Sequence, residues 1–233
     1  MKKNVSTGLT LLFLLFTACS KKNNDNVAPK QTPGKALLTF PAQNAACTSG
    51  AINASNQVEI TFTWNSSANT NGYQLVVTNL INRDVIIETT GKNNLIISLD
   101  FNTPYSWYVV STENGTTATA QSETWKFYLS GPGAVSHPPF PADHLIPAFG
   151  QAVTFASGGI SLEWEGSSPD NDIVSYDVYM DTLKTPVLFK SSITTTYLSY
   201  VKVLPNHTYY WKVITKDSAG NTSDSGISQF KID

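Results

Sequence analysis

Cysteine, histidine and charge are scarce in this sequence. The 233 residues include two cysteines and three histidines, too few for a disulfide scaffold or a thiolate–imidazole metal cluster. Charged residues make up 14%, well below the roughly 25% of an average soluble protein. The net charge of −2 leaves no basic footprint for nucleic acid. No Gly-x-Ser-x-Gly, phosphate-loop or His-Glu-x-x-His pattern occurs, so the common hydrolase, nucleotide and zinc-protease signatures are missing. After residue 35 no stretch sustains a 3.6-residue apolar period, which argues against amphipathic helices. The polarity that remains is uncharged: 27 Thr, 24 Ser and 19 Asn. Hydrophobic content of 41%, with 11% aromatics, still suffices for a packed core and excludes wholesale disorder.

The amino terminus reads as an address. Lys2 and Lys3 precede an apolar run through Leu9, Leu11, Leu12, Phe13, Leu14, Leu15 and Phe16. That run is shorter than the roughly 20 residues a membrane-spanning helix needs, and fits a signal-peptide core. It ends in Thr17-Ala18-Cys19-Ser20, which resembles the bacterial lipobox, where a cysteine is acylated and becomes the new amino terminus. Phe16 stands where leucine is usual. An ordinary secretory signal with an incidental cysteine is the competing reading. Residues 1–35 hold six lysines against one aspartate, whereas 36–135 and 136–233 carry −3 and −4. The expected layout is a signal peptide over 1–18 and a flexible tether over 19–35.

An internal repeat sets the rest. Tyr105, Trp107 and Val109 recur as Tyr209, Trp211 and Val213; Trp64 recurs as Trp164, Tyr73 as Tyr176 and Phe127 as Phe230. The offsets stay between 100 and 104 across these separate stretches. Within each copy the apolar period is two. Val58, Ile60, Phe62 and Trp64 alternate with Glu59, Thr61 and Thr63, as Ile160, Leu162 and Trp164 do with Ser161 and Glu163. Tyr73, Leu75, Val77 and Tyr176, Val178, Met180 follow the same rule. Alternation in short runs bounded by Asn, Gly and Ser predicts half-buried antiparallel strands. The expected fold class is all-β, two tandem immunoglobulin-like sandwiches over 36–130 and 140–233, joined by a Pro/Gly linker over 131–139.

Both copies resemble fibronectin type III domains, and the chain as a whole resembles a Bacteroidetes-type lipoprotein carrying two of them. The motifs are the tryptophans Trp64 and Trp164, and a corner in which Leu99 or Val203 stands six residues before Tyr105 or Tyr209. The resemblance implies buried tyrosine rings whose hydroxyls bond a backbone group at that corner. Neither copy has the disulfide of antibody domains, so each sandwich must rest on packing.

Candidate chemistry is sparse. The resemblance places the loop after the second strand and the loop after the sixth at one end, bringing Asp170 and Asp172 near Asp217, with Asn221 and Asp224 as further donors. Convergent hard oxygens suit Ca²⁺, and the same residue types are what ordinary turns use. His207 reads as a turn residue, and the pairs Glu163/Glu165 and Asp177/Asp181 as solvated carboxylates. All five tryptophans have strand positions, leaving Tyr108, Tyr128, Tyr179 and Tyr210 on the outward phase as candidates for glycan stacking or cross-strand pairing. Cys47 is the one thiol left once Cys19 is acylated.

The expectation is a non-enzymatic, lipid-anchored envelope protein, placed at the outer membrane with its facing open. It presents two modules for protein binding, adhesion or spacing. The alternative is a glycan-binding accessory of a polysaccharide-uptake system. No cofactor beyond possible calcium and no nucleic-acid partner is expected.

Overall fold

A computed structural model describes residues 31–47, 50–155 and 159–233. Cys19, the expected signal peptide and the first part of the tether lie outside the described residues. The first copy contains β1 (Leu37–Phe40), β2 (Ala45–Cys47), β3 (Ala51–Ile52), β4 (Val58–Asn65), β5 (Gly72–Asn79), β6 (Val85–Thr90), β7 (Asn94–Leu99), β8 (Thr103–Thr112), β9 (Thr119–Gln121) and β10 (Trp125–Leu129). The second contains β11 (Asp143–Ile146), β12 (Gln151–Val153), β13 (Ile160–Glu165), β14 (Ile173–Asp181), β15 (Leu188–Ile193), β16 (Tyr197–Val201), β17 (Thr208–Asp217), β18 (Thr222–Asp224) and β19 (Ser228–Ile232).

In the first copy β1, β3 and β7 pair with β4 to form one sheet, while β2, β10, β8, β5 and β6 follow in order across the other, with β9 against β8. The second copy repeats the plan: β11, β13 and β16 oppose β12, β19, β17, β14 and β15, with β18 against β17. In each copy the chain's first edge strand leaves one sheet for the other, so β2 and β12 run parallel to β10 and β19. A cis X–Pro peptide sits at that crossing, Phe40–Pro41 in one copy and Ile146–Pro147 in the other. These are two all-β sandwiches in tandem, as the alternation implied.

The phase of the strands follows the sequence pattern. Val58, Ile60, Phe62 and Trp64 are buried along β4, and Ile160, Leu162 and Trp164 along β13. The two cores are built alike. Trp64 meets Tyr73 edge-on at 5.5 Å, and Trp164 meets Tyr176 at the same distance. Tyr105 stacks on Phe127 at 5.7 Å, and Tyr209 on Phe230 at 5.6 Å. Edge and offset contacts of this kind follow the ring quadrupole and add to area burial. The tyrosine corners also form: the Asp100 backbone N–H donates to the Tyr105 hydroxyl at 3.0 Å, and the Leu204 N–H to the Tyr209 hydroxyl at 2.8 Å.

Candidate functional site

The loop after β13 and the end of β17 hold the three aspartates expected from the sequence to converge. Asp170 accepts the His137 backbone N–H on Oδ2 and faces His137 Nδ1 with Oδ1, both at 2.8 Å. Asp172 accepts the Ser168 hydroxyl at 3.0 Å and the Ser218 hydroxyl at 2.9 Å. Asp217 accepts the Asn221 backbone N–H at 2.7 Å and its side-chain amide at 2.8 Å. Asp224 is paired with Lys212 at 2.6 Å. The loops are neighbours, since Ser218 bridges to Asp172, but the ligand atoms of Asp170, Asp172 and Asp217 do not converge within 4.8 Å of one another. Each of their six carboxylate oxygens faces a protein donor instead. Burial by itself would raise the Asp170 carboxyl, but hydrogen bonds from the His137 ring and backbone, with its charge, outweigh that and hold it below its usual value.

These partners show what the acidic loops do: they clasp the linker. His137 is buried, and Asn221 also reaches Ser136 at 3.1 Å. At the linker's start the Gly131 N–H donates to Asn102 Oδ1 at 3.0 Å. At its end Phe140 is fully buried, its N–H donating to Ser167 O and its carbonyl accepting the Ser223 hydroxyl, both at 2.9 Å. Lys126 pairs with Asp143 at 2.8 Å across the junction, and Arg83 donates to the Ser225 carbonyl at 3.1 Å.

Two outward positions therefore behave otherwise than the alternation implied. Tyr128 is buried, because the His137 ring packs edge-on against it at 5.5 Å. Asp177 is buried rather than solvated, paired with Lys216 at 2.6 Å and accepting the Ser192 N–H at 2.9 Å. Tyr108, Tyr179 and Tyr210 are half-buried, and the most exposed tyrosines are Tyr200 at 79% and Tyr197 at 52% on β16. No periodicity marks Tyr200, since it sits at a β-bulge with φ of 57°. His207 lies in the turn before β17, its Nδ1 2.8 Å from the Pro205 carbonyl. Cys47 is buried in the first core.

Beside the junction opens a cleft of about 770 Å³ whose walls come from both sandwiches: Trp125 and Lys126 from the first, Asp143, His144, Glu165 and Ser167 from the second. Trp125 is only half-buried, its indole N–H donating to Glu123 at 3.3 Å. One donor atom each from Asp143, His144 and Glu165 lies within 4.8 Å of the other two. This trio arises from strand register and a left-handed residue, which spacing in the sequence does not signal.

No family model matches the chain. A curated relative, Chitinase Chi52 of Paenibacillus xylanexedens, is 30% identical over 104 residues, 45% of this chain. The match spans only 19% of that relative's own length. Among solved structures, the fibronectin(III)-like modules of Clostridium thermocellum CbhA are 15% identical, with TM-score 0.32 over 84% of this chain and 92% of that one. A two-domain fibronectin type III segment of chicken tenascin is 17% identical, with TM-score 0.29 over 84% of this chain and 98% of that one.

Proposed function

We propose that this chain is a lipid-anchored envelope protein whose two fibronectin type III-like sandwiches act together as a binding and spacing module. Cys19 is the attachment point, since acyl chains contribute about 0.8 kcal/mol per buried CH₂ to membrane binding. Residues 20–35 supply reach. The observation that carries the reading is the clasped linker: His137, Ser136 and Phe140 are held by side chains of the second sandwich, and Lys126 ties the first to it. Residues Gln31–Asp233 accordingly form one compact unit. A spacer needs that coupling, and loops on a stable scaffold supply contact surface.

The partner on this reading is a protein. A glycan partner is the second reading, supported by the 104-residue likeness to a protein named as a chitinase and by the exposed Tyr197 and Tyr200. A binding screen of the Gln31–Asp233 unit against polysaccharides, host glycoproteins and envelope proteins separates them. Saturable polysaccharide binding lost in Tyr200→Ala selects the glycan reading. Binding only to protein, or none by a folded sample, selects the protein-binding or spacer reading.

A further inference from the structure

The geometry points to a divalent transition-metal site, of the kind Zn²⁺ fills, formed by Asp143, His144 and Glu165 at the edge of the junction cleft. His144 Nδ1 lies 3.1 Å from Glu165 Oε2 and 3.4 Å from Asp143 Oδ1. Four ligands bound tetrahedrally at about 2.0–2.1 Å stand about 3.3–3.4 Å apart; the two separations from His144 match such an edge, and the two carboxylates lie within 4.8 Å of each other. Calcium wants longer bonds and six or more oxygens, which this imidazole-containing trio does not supply.

Two further observations point to a cation. Asp143 and Glu165 are direct cross-strand partners on β11 and β13. Like charges opposed in this way repel unless a positive charge lies between them. Lys126 takes Asp143 Oδ2, but Asp143 Oδ1 is shut off from solvent with no hydrogen-bond donor. That oxygen is the one turned toward His144. The Lys126 ammonium then acts as the outer partner that orients a metal-bound carboxylate.

The histidine is placed by its backbone. His144 has φ of 48°, within the bulged register between Asp143 and Ile146. Its side chain and that of Glu165 remain about 70% exposed, so a fourth ligand can enter from solvent. Binding through Nδ1 needs that nitrogen unprotonated. Where His144 carries a proton there, the ion replaces it and one proton passes to solvent.

The test is a calorimetric titration of ZnCl₂ into the full, untagged chain in detergent, with Glu165→Gln and His144→Asn alongside. Asparagine tolerates the left-handed backbone at 144, so that variant removes the imidazole without forcing the strand to refold. The expected result is one ion per chain, with affinity at least about tenfold weaker in both variants while their metal-free melting temperatures match the parent. No saturable binding by the parent, or binding equally tight in both variants, overturns the site.

Discussion

Lys126, in the last strand of the first sandwich, and Asp143, in the first strand of the second, form a 2.8 Å ion pair across the module junction. Only 12% of the lysine side chain is exposed, and its ammonium also lies 5.5 Å from the centre of the Phe140 ring. Lys126→Met keeps the stem and removes the charge. The expected cost is modest, about 1 kcal/mol, because Asp143 is partly solvated. Small-angle scattering of the Gln31–Asp233 unit should show a broader distance distribution in the variant. An unchanged profile would mean that the linker alone sets the angle.

The clasp at the linker predicts protease sensitivity. Asp170→Ala removes acceptors for both the His137 backbone and its ring. Limited proteolysis should then cut within residues 131–139 faster than in the parent, while both sandwiches stay resistant. Equal cutting rates would show that burial of Phe140 is enough.

The same aspartate gives an acid limb. Its carboxyl sits below its usual value in the fold, so its contribution is present above the unfolded value near 4 and is lost as pH falls through the folded one. Linker cleavage in the parent should rise as pH falls below about 4 and approach the Asp170→Ala rate. A clasp indifferent to that range contradicts the assignment.

An alkaline limb belongs to the first core. Burial, with the nearby Asp100 charge adding to it, raises the Tyr105 phenol above its ordinary value, although the Asp100 backbone N–H and Thr103 work the other way. A phenol whose folded pKa is raised stabilises the fold fully below the unfolded value of about 10, and that stability is lost as pH rises through the folded one. Denaturant midpoints measured from pH 9 to 12 should fall in the parent and fall less steeply in Tyr105→Phe. Parallel slopes would contradict the account.

Trp164 and Trp64 occupy the same place in the two cores, each against a tyrosine at 5.5 Å. Trp164→Ala should cost the second sandwich about 3–5 kcal/mol, the usual large-to-small core penalty, read from urea midpoints. A loss near zero would mean that the tryptophan does not pack as described.

What could be read from the sequence was whatever obeys a period of two. The inward runs Val58 to Trp64 and Ile160 to Trp164 needed only alternation and the repeat, while the tyrosine corners came from the resemblance to fibronectin type III domains. Tyr128 and Asp177 broke that rule because outer-face residues can be covered by something distant in sequence: a linker histidine for one, Lys216 and the Ser192 backbone N–H for the other. The aspartates of the acidic loops were visible as a group, but not their partners, since His137 and Ser136 come from the linker. Asp143, His144 and Glu165 were invisible for a similar reason. Their meeting depends on β11–β13 register and on a positive φ at a non-glycine residue, neither of which composition signals.

The central claim is that Cys19 anchors this two-module unit to a membrane. Metabolic labelling with an alkyne fatty acid, followed by membrane fractionation of cells expressing the parent and Cys19→Ser, tests it directly. The account predicts a labelled, membrane-bound parent and an unlabelled variant in the soluble fraction. An unlabelled parent that fractionates like the variant would contradict it.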